Sequence, residues 1–241
     1  MSNIRTNTFD QPIGAAVDGW TARPRPPATP MQGRLCSVVP LDPAAHCEHL
    51  FAADMLDPDG ANWTYSLGEL PGDVAAYRSY LDTIAAKDDP MFHTIIEQAS
   101  GEAVGIASLM RIDPANGVIE VGNIRYSPRL QRKPAATEAM FLLMCRVFDE
   151  LGYRRYEWKC DALNAPSRAA ALRLGFRFEG IFRQAVVYKN RNRDTAWFSI
   201  IDSEWPALKA AFEAWLHPDN FDDAGMQRRS LGDLTSSANR E

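Results

Sequence analysis

The stretch from 123 to 140, NIRYSPRLQRKPAATEAM, sets Gln131, Arg132 and Lys133 immediately before Pro134, with Thr137 in the turn that follows. Ala139, Met140, Leu143, Val147 and Leu151 recur at helical spacing and Gly152 is a suitable stop, so the pattern predicts a helix over 134–151. A helix start leaves backbone N–H groups unpaired and carries partial positive charge. With two cations beside it, that is chemistry for holding an anion, and a diphosphate would suit it. Pro134 removes one donor, but its fixed φ presets the helix start. The same residues also read as a solvated basic turn ahead of a helix that begins on proline. Neither G-x-x-x-x-G-K-[ST] nor G-x-G-x-x-G occurs, so nucleotide triphosphatase and dinucleotide readings find no support.

Glu120 precedes Gln131 by eleven residues and shares a strand face with Gly122 and Ile124. A semi-buried carboxylate there would have a raised pKa and could act as a general base; it could instead pair with Arg111 on a neighbouring strand. His46 and His49 share a helix face, but no third ligand lies nearby and H-E-x-x-H is absent, so no metal is expected. Trp63 and Tyr65 lie in a loop between two helices, and Tyr188 ends a strand before NRNR. Each could line a pocket or simply pack. Trp158 and Trp197 fall inside strands and are expected in the core. No cysteine accompanies a suitable histidine, which argues against a covalent thiol route.

The elements that must position these groups read as follows. A strand is expected at 34–41, then helices at 42–55, with Asp42 as N-cap, and at 72–87. Strands at 92–98, 103–112 and 117–127, split by the turns SGEA and DPANG, form an antiparallel meander. After the 134–151 helix come a strand at 154–162 and a helix at about 165–174 ending at Gly175. A hairpin of 176–189 and 193–202 and a helix at 203–216 close the pattern. The class is α/β with a mixed sheet. Residues 1–33, with TARPRPPATP, form an extended arm, 34–216 the folded domain, and 217–241 a polar, mobile tail.

An apolar fraction of 46% in 241 residues suffices for one substantial core. A net charge of −5 argues against nucleic-acid binding. The scattered Cys36, Cys47, Cys145 and Cys160 suggest a reducing compartment without disulfides. The longest apolar run, Met140 to Cys145, cannot cross a bilayer, and the N-terminus lacks a secretory h-region. A cytoplasmic protein without membrane partners is expected.

After the next strand comes DALNAPSRAAALRLGFRFEGIFR, with Asn164, Ser167 and Gly175-Phe176 in order. Together with the basic turn, this order resembles the GNAT superfamily of acetyl-coenzyme-A-dependent acyltransferases, over roughly residues 33–216. The family turn Q/R-x-x-G-x-G/A is matched by Gln131-Arg132-Lys133-Pro134-Ala135-Ala136 at its first and last positions and departs between them. The stretches GRLCSVVPLD and DTAWFSIIDSEW are similar to the RimJ/RimL-type branch, which acetylates amines including protein N-termini.

The resemblance implies a mostly antiparallel twisted sheet of about seven strands, flanking helices and a splayed strand pair forming the cofactor cleft. It implies that backbone groups of Ile124, Arg125 and Tyr126 bind pantetheine, and that Gln131, Arg132, Lys133, Ala135, Ala136 and Thr137 hold the pyrophosphate. Asn164 would bind the pantetheine arm, and Ser167 would lie near the thioester sulfur and steady the leaving thiolate. Many members carry a tyrosine acid seven residues after the asparagine; Ala171 stands there. Glu120 falls where histone-acetylating members carry a glutamate base, and Trp63, Tyr65 and Tyr188 would line the acceptor pocket. The implied function is transfer of acetyl from acetyl-CoA to a primary amine, with no metal and with a homodimer open to it. The alternative is an acyl-CoA-binding sensor without turnover.

Overall fold

The structure, a computed structural model, describes residues 5–238. The arm contributes β1 (Arg5–Thr6), β2 (Pro12–Ile13) and β3 (Met31–Gln32). Then come β4 (Cys36–Pro40), α1 (Pro43–Asp54), α2 (Val74–Ala85), β5 (Met91–Glu97), β6 (Ala103–Asp113) and β7 (Val118–Tyr126). The second half holds α3 (Pro134–Cys145), β8 (Arg155–Asp161), α4 (Ala165–Arg173), β9 (Arg177–Tyr188), β10 (Arg191–Ile201), α5 (Trp205–Leu216) and α6 (Leu231–Ala238). β1 and β2 pair only with each other, and the rest form one eight-stranded sheet of order β3-β4-β5-β6-β7-β8-β10-β9. The eighth strand, beyond the seven expected, is β3 from the arm. Within this sheet β7 and β8 run parallel and every other pair antiparallel.

Side-chain chemistry sets the helix starts. The carboxylate of Asp42 accepts from the amides of Ala44 and Ala45, Asp73 accepts from Ala76, and Asn164 accepts from Ser167. Strand alternation then sorts the two sheet faces. Ile119, Val121, Tyr156, Trp158, Phe198 and Ile200 join α3 and α5 in the main core. On the other face α1 and α2 cover β5 and β6, burying Leu50, Tyr77, Leu81, Phe92 and Ile106. That second face carries Glu120 of β7, Glu157 and Lys159 of β8, and Trp197 of β10, in mutual contact.

Glu138 fixes α3 against the sheet. Its buried carboxylate accepts from the amides of Arg34 (3.0 Å), Leu35 (2.6 Å) and Cys36 (2.8 Å), just where β4 begins.

Two expectations change, for the long helix and for the tail, and the arm is found packed on the domain. The helix predicted over 134–151 is α-helical only to Cys145, and residues 146–150 form a π turn. The wider turn carries the guanidinium of buried Arg146 to the carbonyls of Pro27 (3.2 Å) and Pro30 (3.5 Å). The arm is therefore tied down at that end. It is also held at Trp20, whose Nε1 donates to the Ala115 carbonyl at 2.8 Å. Its ring lies so close to Gly117 that a Cβ there would sit 2.5 Å from it. Finally, residues 217–238 are not a mobile tail: α6 buries Leu231, Leu234 and Thr235, and the Thr235 hydroxyl donates to the Arg173 carbonyl (3.1 Å).

Candidate active site

The parallel pairing of β7 with β8 starts at Val118–Arg155 and stops at Val121–Trp158, although β7 runs on to Tyr126 and β8 to Asp161. Beyond Val121 the two strands splay. A bulge helps to part them: Gly122 faces Ser108 while Arg125 faces Ile106, three steps on β7 against two on β6. The bulge sits at Asn123, whose φ of +50° is one that asparagine tolerates. Asn123 Nδ2 donates to Ser108 Oγ (3.0 Å), and that hydroxyl donates to the Gly122 carbonyl (3.0 Å).

Past the bulge, Arg125 turns its side chain toward α1 and α2. It pairs with Asp54 at 2.9 Å, donates to the hydroxyls of Tyr77 (3.0 Å) and Tyr80 (3.1 Å), and lies 4.0 Å over the Trp63 ring. Arg125 thus anchors the splayed half of β7, while the backbone of Ile124, Arg125 and Tyr126 runs along an edge with no partner strand on its β8 side.

The basic turn follows. Gln131 is a clasp: its Nε2 donates to the Tyr126 carbonyl (2.9 Å) and to Asn62 Oδ1 (2.8 Å). Arg132 takes the left-handed conformation, φ +59°, that glycine would supply more cheaply. Lys133 is the N-cap of α3, and no side chain caps that end. Ala136 N–H is used by the Lys133 carbonyl (3.1 Å), but the amides of Arg132 and Ala135 make no hydrogen bond among the described residues. The side chains of Arg132 and Lys133 are exposed and make no ion pair there. Thr137 is buried, and its hydroxyl accepts from Arg173 Nη1 at 3.1 Å. Arg173, not anticipated from the sequence, also lies over Trp215, and burial pushes its pKa down. Free amides, a helix dipole and three cations suit a diphosphate.

Asn164 and Ser167 meet at the start of α4. Asn164 Oδ1 accepts the Ser167 amide (3.1 Å), leaving its Nδ2 free to donate. Ser167 Oγ accepts from Trp158 Nε1 at 3.0 Å, and its own proton can point to the buried Cys160 sulfur or into the gap. Trp158 is core, as expected.

At the base of the splay sits Glu120, 4% exposed. Its Oε2 accepts from Lys159 Nζ (2.8 Å) and meets Arg111 Nε at 3.2 Å, so burial and the Arg111 pairing hold together. Oε1 turns toward Gly122: a Cβ at Gly122 would lie 3.5 Å from it and 2.4 Å from Met110 Sδ. The bare glycine leaves room for the Met110 thioether, which packs there beside Glu120. Burial pushes the Glu120 pKa up, against the pull of Lys159 and Arg111. Lys159 also pairs with Glu157 (2.6 Å) and lies 3.7 Å from the centre of the Trp197 ring. Trp197 is accordingly not core. It stands opposite Lys159 on the open face, stacked 4.4 Å from half-exposed Phe182.

Above this face the tip of the β9–β10 hairpin meets the α1–α2 loop. Lys189 Nζ donates to the Trp63 carbonyl (2.8 Å) and to Glu69 (3.1 Å). Tyr65 donates to the Leu163 carbonyl (3.2 Å), and Tyr188 donates to buried Asp161 (2.8 Å). Tyr65 and Tyr188 therefore border the splay, whereas Trp63 is buried under Arg125. His46 lies away from this site, its Nδ1 3.0 Å from the Thr94 hydroxyl. Among the described residues no group of three or more His, Cys, Asp or Glu is placed to hold a metal, and no helix is long and apolar enough to cross a membrane. Lys159 and Asp161 were not anticipated, although alternation in RYEWKCD already sets Arg155, Glu157, Lys159 and Asp161 on one face.

An acetyltransferase (GNAT) domain model matches residues 38–177. The crystal structure of a GCN5-related N-acetyltransferase from Brucella melitensis has 51% identity and a TM-score of 0.89, covering 91% of this chain and 100% of that one. YnaD, an uncharacterized N-acetyltransferase of Bacillus subtilis, is 29% identical over 86 residues, 36% of this chain and 50% of its own. The chain spans 50% to 62% of the length of the curated relatives it matches. RimL, a ribosomal L7/L12 alpha-N-protein acetyltransferase in complex with coenzyme A, shares the fold alone, at 18% identity and a TM-score of 0.60 over 72% of this chain and 99% of that one. A family match over more than half the sequence, joined to a solved relative with 51% identity over 91% of the chain, shows that the chain belongs to the GNAT acetyltransferase family.

Proposed function

We propose that this chain is an N-acetyltransferase that moves acetyl from acetyl-coenzyme A directly onto a primary amine. The observation that carries this reading is the gap between β7 and β8, which opens between an uncapped α3 and the buried carboxylate of Glu120. Acetyl-coenzyme A supplies an activated acetyl thioester.

In this reading the free edge of β7 at Ile124 to Tyr126 hydrogen-bonds the pantetheine as an added strand would. The amides of Arg132 and Ala135, with the cations of Arg132, Lys133 and Arg173, hold the pyrophosphate. Asn164 Nδ2 donates to the pantetheine arm. Glu120 Oε1 takes the proton of the attacking amine, directly or through water, since an unperturbed lysine amine (pKa about 10.4) or α-amine (about 8) is mostly protonated at neutral pH. A backbone N–H on the free β7 edge meets the oxyanion. Ser167 donates its hydroxyl proton as a hydrogen bond to the departing thiolate, which needs little help because its pKa lies near about 8.5.

The acceptor is a protein N-terminus, as in the RimJ/RimL-type branch, or a small amine. Cytoplasmic action belongs to the same proposal and is supported by the free, buried thiols of Cys36, Cys47 and Cys160. So does a homodimer, for which β9 offers a free sheet edge with exposed Phe178, Ile181 and Val187.

Calorimetric titration with acetyl-coenzyme A followed by a free-thiol assay over an amine panel tests the reading. Tight binding with no thiol release above hydrolysis would replace the enzyme with a binding protein. In addition, Arg132→Glu with Lys133→Glu should weaken coenzyme A binding about tenfold or more while affecting a dephosphorylated pantetheine fragment little. Equal losses would show that the turn does not touch phosphate.

A further inference from the structure

Beside the splay, on the same face as Glu120 and Lys159, β10 carries two polar groups that nothing in the fold satisfies. The hydroxyl of Thr195, 6% exposed, is buried without a hydrogen-bond partner. Arg193, two residues earlier and half-buried, has its Nε buried and unpartnered, and its guanidinium makes no ion pair or hydrogen bond among the described residues. Strand alternation puts both side chains on the face that also carries Trp197. Thr195 pairs with Asp161 across the strands, and Arg193 is near enough for its charge to act on the Tyr188 hydroxyl. Asp161 accepts from Leu163 N–H and Tyr188 O–H, and neither Arg193 nor Thr195 is hydrogen-bonded to it.

Leaving one buried donor unmet costs about 1–3 kcal/mol, and folded chains rarely keep two such groups side by side without a use for them. A guanidinium fork with a hydroxyl beside it is a receptor for a carboxylate. Its position assigns the carboxylate. β10 lies one strand spacing, about 5 Å, from β8, the strand that borders the gap, whereas the cations suited to the cofactor's phosphates cluster at the start of α3.

We propose that Arg193 and Thr195 bind a carboxylate carried by the acceptor, so that this protein prefers amines bearing an acid group over their neutral counterparts. This rests on the acetyl-transfer reading and deepens it. Arg193 is a specificity residue that positions the acceptor and takes no proton.

The test compares glycine, β-alanine and γ-aminobutyrate with their carboxamides as acceptors, using the full chain and acetyl-coenzyme A. The wild type should favour the acid of at least one pair. Arg193→Gln should cut that acid-over-amide ratio of kcat/KM at least tenfold, mainly through KM. Arg193→Lys should restore part of the preference, and Thr195→Val should reduce it. Calorimetry with coenzyme A should give the same affinity for wild type and Arg193→Gln. Three results would overturn the proposal: no acid preference in the wild type, equal loss on both members of every pair, or a matching loss of coenzyme A affinity, which would put the anion on the cofactor. Should no amine react at all, the transfer reading fails, and N-acetylglycine and its amide are then titrated into the coenzyme A-saturated protein. Selective binding of the acid, lost in Arg193→Gln, upholds the anion site; indifferent binding removes it.

Discussion

At the scale of single residues, Glu120 is where the chemistry can be tested most directly. A base acts only when deprotonated, and burial raises the pKa of Glu120 above the ordinary carboxylate value of 4.5. Activity should therefore fall with decreasing pH through that raised value, placing the acid limb of kcat/KM above the usual glutamate range. Glu120→Gln should abolish that limb and reduce kcat about 10²- to 10⁴-fold, with an unchanged fold by circular dichroism. A variant that keeps the wild-type pH profile would assign proton removal elsewhere. Period-two alternation along the strand is enough to single out Glu120, because it needs only the neighbours Gly122 and Ile124. It does not foresee Lys159 at 2.8 Å, which arrives from a strand 39 residues further on. Trp197 defies expectation for a related reason: an apolar ring inside a strand suggests core, yet the residue opposite it is a cation.

The same division between near and far contacts recurs at the scale of elements. The starts of α1 and α4 are legible in the sequence because Asp42 and Asn164 cap them from within three residues. The π turn after α3 is not, and the carbonyls that its Arg146 reaches, those of Pro27 and Pro30, lie more than a hundred residues earlier in the arm. Nor is the role of Glu138, whose three amide partners lie 102 to 104 residues earlier in the chain. Glu138→Ala would strand those amides, each costing about 1–3 kcal/mol if left buried and unmet. An overall loss of about 3 kcal/mol or more in urea unfolding is expected. Because α3 carries the basic turn, coenzyme A affinity should fall in the same variant; a stability loss under about 1 kcal/mol would mean that the loop finds other acceptors.

For the molecule as a whole, pH acts through a histidine far from the chemistry. His93 on β5 is 1% exposed, and burial together with the nearby charge of Arg146 lowers its pKa from 6.5 to about 4. The unfolded chain then binds the proton more tightly than the folded one. The stability tied to neutral His93 is fully present above pH 6.5 and drains away as pH falls toward 4, by about 3 kcal/mol in total. Thermal unfolding at pH 7.5 and 5.0 should show this decline, and His93→Gln should flatten it. A decline of equal size in the variant would move the origin to the carboxylates. The order of elements is readable from β4 to α5; the two-residue strands β1, β2 and β3 are too short to leave a pattern, and in α6 Leu231, Leu234 and Thr235 give an apolar stripe of barely two turns among polar neighbours.

The shape of the sheet has a mechanical consequence. Strands β3 to β7 and strands β8 to β10 are two antiparallel leaves bound along a spine only four residue pairs long, from Val118–Arg155 to Val121–Trp158. A guest that bonds to both leaves becomes part of the binding and stiffens the whole book. Affinity for such a guest and resistance to unfolding are then one thermodynamic quantity seen from two sides, and substitutions along that short spine will alter both together.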